Sequence, residues 1–140
     1  MSSAFLRLMD RFFSKGEDYR VTITGHENSG KTTLLYLLKL GSIIKTIPTW
    51  GTNIETIKTS TATGRTLKFT GWDIGGGCAN IITMTRLYAG FGSDAMIWVV
   101  DSTDRASLSE DVQALTSILG DLEARRSKLA KPPKNYCILM

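Results

Sequence analysis

Eight consecutive residues, Gly25-His26-Glu27-Asn28-Ser29-Gly30-Lys31-Thr32, have the types and spacing to do recognisable chemistry. They read G-x-x-x-x-G-K-[ST], the pattern of a phosphate-binding loop. A polyphosphate packs several negative charges into a small volume. Holding one requires backbone close to its oxygens, many N–H donors and a positive charge. Gly25 and Gly30 let the chain wrap tightly, because glycine has no Cβ to clash. The N–H groups of Asn28, Ser29, Gly30, Lys31, Thr32 and Thr33 then form a concave anion nest at a helix N-terminus. Glu27 belongs to the same loop. Lys31 is placed to reach the outer phosphates and the Thr32 hydroxyl to ligate Mg²⁺.

This chemistry needs a strand before the loop and a helix after it. Arg20-Val21-Thr22-Ile23-Thr24 supplies the strand, being rich in β-branched residues. Thr33 to Leu40 reads as the helix, with Gly41 at its C-cap. A plain glycine turn leaves Lys31-Thr32 unexplained at this spacing. Two later stretches offer partners. Thr49, in the loop around Pro48, is a candidate for completing the Mg²⁺ shell when a γ-phosphate is present. Asp73, at the end of the alternating run Leu67–Trp72, fits a carboxylate that supports the metal, and the Gly76 N–H after it can approach a γ-phosphate. Taken alone, the Asp73–Gly76 stretch reads first as a glycine-rich turn after a strand.

Asn53 to Lys58 and Leu67 to Trp72 alternate apolar and polar residues and predict a β-hairpin. Asn80 to Tyr88 predicts a short helix. Ala95 to Asp101 is a continuous apolar run, expected of a strand buried on both faces of a parallel sheet. Ser107-Leu108-Ser109-Glu110 reads as a capping box opening a long helix. The inner stripe expected for that helix is Leu108, Val112, Leu115, Leu119 and Leu122. Tyr136 to Met140 is one more apolar run.

The chain has 140 residues and a formal net charge of +4. That length predicts one domain, residues 1–140, around one core. The basic surplus gathers at Arg125, Arg126, Lys128, Lys131 and Lys134, which reads as a solvated tail, and no nucleic-acid partner is expected. Two cysteines, Cys78 and Cys137, predict no disulfide framework and a reducing, cytoplasmic setting. Phe5, Leu8, Met9, Phe12 and Phe13 fall on one face of an expected amphipathic helix over residues 2–14. That helix suits either peripheral contact with a membrane surface or packing on the protein's own core. Ser2 in place of glycine excludes N-myristoylation.

Together these blocks resemble the Arf-like branch of the Ras-type small GTPases. The residues that carry the resemblance are Gly25–Thr33, then Thr46-Ile47-Pro48-Thr49 with Gly51 and Asn53-Ile54-Glu55-Thr56. Trp72-Asp73-Ile74-Gly75-Gly76, Val99-Val100-Asp101-Ser102 and Asp104-Arg105 complete it. The resemblance implies an α/β P-loop NTPase fold: a mostly parallel sheet of about five strands with helices on both faces, shortened relative to the family. It implies a nucleotide-dependent switch that binds GTP and GDP with Mg²⁺, hydrolyses GTP, and meets effector and regulator proteins. Lys31, Thr49 and Gly76 are the implied catalytic residues, and Thr32, Thr49 and Asp73 the implied metal set. Two switch segments, about 43–53 and 74–90, are implied to order around the γ-phosphate.

The sequence departs from the family twice. The glutamine that orients the attacking water is replaced by Gly77, so hydrolysis is expected to be slow, at or below the order of 10⁻⁴ s⁻¹. A pseudo-GTPase that docks partners with little or no hydrolysis is the alternative. The N-K-x-D block that reads guanine is missing, along with the strand and helix beyond it, which predicts an uncovered sheet edge. The N-terminal helix or a second copy of the chain is the expected cover. Cys137-Ile138-Leu139-Met140 also fits a prenylation signal, though a strand is the favoured reading.

Overall fold

The computed structural model describes Arg7 and residues 18–60, 63–64, 66–75, 81–90, 93–126 and 135–139. Apart from Arg7, the helix expected over residues 2–14 lies outside the described residues. Five strands form one sheet: β1 (Asp18–Thr24), β2 (Thr52–Ser60), β3 (Thr66–Ile74), β4 (Ala95–Val99) and β5 (Asn135–Leu139). Their order is β2-β3-β1-β4-β5. β2 and β3 are antiparallel, and every other pairing is parallel. Three helices are described: α1 (Lys31–Leu40), α2 (Ile81–Gly90) and α3 (Leu108–Arg126). The fold is therefore the α/β sheet with helices on both faces that the sequence predicts.

Alternation along the strands divides the interior into two layers. Tyr19, Val21 and Ile23 of β1, Ile57 of β2, and Ala95, Ile97 and Val99 of β4 point to one face and bury against Leu35 and Leu38 of α1. Met96 and Trp98 of β4 point to the other and bury against Ala114, Ile118 and Leu122 of α3. β4 is buried along its whole length, as its unbroken apolar run requires. Hydroxyl pairs tie β1 to the α2 side: Thr24 to Thr85 at 2.6 Å, and Thr22 to Ser93. Arg86 of α2 pairs with Asp121 of α3 at 2.6 Å.

The hairpin is in register from Thr52↔Ile74 to Ser60↔Thr66. On the side of β2 facing α1, Asn53 and Glu55 are half-buried, and Ile57 and Thr59 are buried. Lys39 of α1 meets Glu55 at 2.6 Å. Gly71 of β3 leaves the room that the Leu35 and Ile57 side chains fill: a Cβ there would sit 2.7 Å from Leu35 Cδ1 and 3.1 Å from Ile57 Cδ1. Cys137 lies in β5, in register with Ile97.

Two expectations about α3 need correction. Leu122 of the expected stripe is buried and Leu115 and Leu119 pack partly buried against the same layer, but Leu108 is 45% and Val112 56% exposed, and Asp111, Ala114 and Ile118 take the buried places. Small Ala114 and hydrogen-bonded Asp111 set the face that the sheet accepts, so the leucine periodicity points to a stripe rotated from the observed one. The Ser107 hydroxyl donates to Asp104 at 2.6 Å, which replaces the expected capping box with a turn closed from upstream.

Candidate functional site

The loop between β1 and α1 takes its shape from three backbone positions with positive φ: Gly25 at 140°, Asn28 at 60° and Gly30 at 90°. At Gly25 a Cβ would overlap the Val99 carbonyl, so the loop can lie flat on the end of β4 only without one. At Gly30 the surroundings are open and the left-handed backbone alone selects glycine. Gly30 caps α1 with no side-chain hydrogen bond, and the first turn of α1 has no acidic residue. The N–H groups at that end therefore remain available to an anion.

Lys31 is buried, and its ammonium donates to the His26 carbonyl at 2.5 Å and reaches Ser29 Oγ at 3.5 Å. Burial pushes its pKa below the ordinary lysine value, against the pull of Asp73, Glu27 and Asp111. A cavity of about 510 Å³ opens beside it. Glu27, Asn28, Lys31, Thr32 and Thr33 line one side, and Thr46 to Trp50 and Gly75 line the rest. That volume is within the usual range of small-molecule sites, about 300–1,000 Å³.

Three oxygens converge at one side of the site. Thr32 Oγ1 donates to Asp73 Oδ2 at 2.6 Å, Thr49 Oγ1 donates to the same oxygen at 3.2 Å, and the two hydroxyls are 2.9 Å apart. Asp73 is buried at the end of β3, and its Oδ1 has no hydrogen-bond partner among the described residues. Two hydroxyls and a carboxylate form a hard donor set suited to Mg²⁺. Among the described residues no group of three or more His, Cys, Asp or Glu is placed to bind a metal, so an ion here would need oxygens from a ligand as well.

Residues 5–130 match the family model for the ADP-ribosylation factor (Arf) family. The chain belongs to the Arf family. A solved structure similar to this Arf-family chain is the Arl6 BBS3 small GTPase of Trypanosoma brucei with a bound nucleotide analogue, GppNp. The two agree with a TM-score of 0.67 and 28% identity over 87% of this chain and 66% of that one. The Arf-family chain thus spans just under two thirds of that protein's length.

The fold of this Arf-family chain unites most of the residues singled out from sequence. Glu27, Asn28, Gly30, Lys31, Thr32, Thr33 and Thr49 share the cavity wall. Asp73 stands behind it through Thr32 and Thr49. Gly25 and Ser29 shape the loop without lining the cavity. Gly76, Gly77, Cys78 and Asn80 lie outside the described residues. Sequence reasoning missed Gly75, which lines the cavity and whose N–H donates to the Gly51 carbonyl at 2.8 Å. A Cβ at Gly75 would overlap the Thr49 carbonyl, so this glycine lets the Thr49 loop close on β3. Its signal was present as the first glycine of W-D-x-G-G. Thr46, whose hydroxyl lies 3.3 Å from that of Thr33, was also missed.

Proposed function

We propose that this Arf-family chain is a guanine-nucleotide-dependent switch that holds GTP or GDP with Mg²⁺ and hydrolyses GTP slowly. The observation that carries this reading is the meeting of Thr32, Thr49 and Asp73 beside Lys31 and the open N-terminus of α1. In this reading the loop N–H groups from Asn28 to Thr33 bind phosphate oxygens. Lys31 neutralises charge on the outer phosphates. Thr32 and Thr49 hold Mg²⁺, with Asp73 fixing both hydroxyls. A bound magnesium ion supplies charge neutralisation across the outer phosphates. The Gly76 N–H senses the γ-phosphate.

Thr49 links the ligand to the rest of the molecule. It sits in a loop that reaches from α1 to β2, and its hydroxyl is tied to two other elements. A γ-phosphate that recruits Thr49 would order that loop, and its loss would release it. Ile43, Ile47 and Trp50 are exposed on the same loop, ready to present an apolar surface to an effector or regulator protein. Peripheral membrane contact through residues 2–14, and a second copy of the chain at a sheet edge, belong to this proposal as secondary parts. No helix among the described residues is long and apolar enough to cross a membrane.

Gly77 favours a second reading, a nucleotide-loaded docking module without hydrolysis. The first test is the nucleotide that co-purifies with the chain, identified by chromatography after denaturation. Guanine nucleotide is expected, and a chain that refuses GTP, GDP and ATP at millimolar Mg²⁺ overturns the proposal. Phosphate release over hours, against a Lys31→Ala control, separates switch from module.

A further inference from the structure

The phosphate loop is anchored from behind by a group that the proposed mechanism does not use. His26 is the chain's single histidine. Its backbone carbonyl accepts the Lys31 ammonium at 2.5 Å. Its imidazole points the other way, and Nε2 lies 3.6 Å from Asp111 Oδ1, just beyond hydrogen-bond reach. Nε2 is buried and has no hydrogen-bond partner among the described residues. Asp111, on the first turn of α3, is itself buried, and its Oδ1 accepts the Trp98 indole N–H at 2.9 Å. The His26 ring meets the Trp98 ring edge-on, with centroids 6.5 Å apart.

A buried carboxylate with one neutral donor is poorly compensated. Trp98 alone explains why Asp111 accepts a bond, but not why an imidazole nitrogen is buried facing the same oxygen. A protonated imidazole would donate from Nε2 and complete the carboxylate's shell with a charge-assisted bond.

We propose that His26 is a positioning residue: docked on Asp111, it fixes the carbonyl that holds Lys31, and its charge makes nucleotide retention depend on pH. The second half rests on the proposed function; the docking itself does not. The charged groups around His26 come from every neighbouring element. Asp111 faces it from α3, and Asp104, held low chiefly by the Ser107 hydroxyl, is within electrostatic reach from the loop before α3. Glu27 adjoins it in the loop. Lys31 stands on α1 with its ammonium on the His26 carbonyl. Protonation would give Nε2 the N–H that faces the Asp111 carboxylate. Retention therefore rises as pH falls.

The test uses the full chain loaded with a fluorescent guanine nucleotide at millimolar Mg²⁺. Release should be about threefold to tenfold slower near pH 6 than near pH 8, the range over which histidine changes charge. His26→Leu and Asp111→Asn should each flatten that dependence. The asparagine keeps an acceptor for Trp98, so the fold is retained. A flat wild-type profile, or either variant keeping the wild-type profile, would overturn the proposal. The second readout needs no nucleotide. The NMR titration curve of the single imidazole should differ between wild type and Asp111→Asn, and identical curves would sink the docking. Differing curves in a chain that retains no guanine nucleotide would overturn the proposed function and support the docking.

Discussion

Thr32 and Asp73, separated by 41 positions, meet at 2.6 Å, and Thr49 closes on the same carboxylate oxygen from a third element. Asp73 therefore aligns two hydroxyls from behind. Asp73→Asn should weaken the effect of magnesium on nucleotide retention by about 10- to 100-fold, the usual loss when an outer partner of a metal site is changed. Release rates across a magnesium titration measure this. A variant with wild-type magnesium dependence would show that the carboxylate plays no part.

The two glycines of the phosphate loop should fail in different ways. Gly25→Ala drives a Cβ into the Val99 carbonyl at a φ of 140°, and the denaturation free energy should fall by about 2–4 kcal/mol. Gly30→Ala meets no atom within 4 Å and should lose only about 1 kcal/mol of backbone preference. Urea midpoints of the two variants test the order.

Lys31 should weaken the empty protein. Its folded pKa lies below the ordinary value because of burial, so the unfolded chain binds the proton more readily. Between the two values stability rises with pH, and below both the burial penalty is present in full. Lys31→Met should therefore raise the denaturation midpoint of the nucleotide-free chain at pH 7. The gain should shrink as pH nears about 10, where an ordinary lysine titrates. The same variant should lose nucleotide. A lower midpoint at pH 7 would mean that the bond to the His26 carbonyl outweighs desolvation.

The observed face of α3 can be checked by paired truncations. Ile118→Ala opens a hole in the layer under Trp98 and should lower stability by about 2–5 kcal/mol. Leu108→Ala removes a half-exposed side chain and should stay within about 0.5 kcal/mol. Equal losses would restore Leu108 to the inner stripe.

In the proposed reading, Gly77 is the residue that keeps hydrolysis slow. Gly77→Gln should raise single-turnover GTP hydrolysis by at least about tenfold over a wild-type rate on the order of 10⁻⁴ s⁻¹ or less. An unchanged rate would place the limit elsewhere in the site.

The phosphate loop was legible because its chemistry is local: eight adjacent residues bend the backbone, supply the charge and open a helix. Asp73 was legible as an acidic residue at a strand end. Thr49 was a weak signal before the T-I-P-T resemblance strengthened it, since nothing nearby marks which threonine of that loop turns inward. The His26–Asp111 approach was not legible. It joins a loop to a helix across β4, and neither residue breaks a local pattern. The first turns of the α3 stripe, Leu108 and Val112, were misread for a related reason. Leucines at helical spacing are a strong periodic cue, yet the face that packs is chosen by what the sheet will accept, here Ala114 under Trp98 and a carboxylate bonded to its indole.

The β2–β3 ribbon has an unusual way of keeping its alignment. A shift of two places leaves every side chain on its own side of the sheet, so alternation cannot forbid it. Along the inward side of β2, Ile57 is the lone aliphatic among Asn53, Glu55 and Thr59. Moving either way would bring Glu55 or Thr59 into the notch above Gly71 and pull Glu55 off Lys39. One branched side chain seated over one missing side chain therefore acts as the detent of a nine-residue slider.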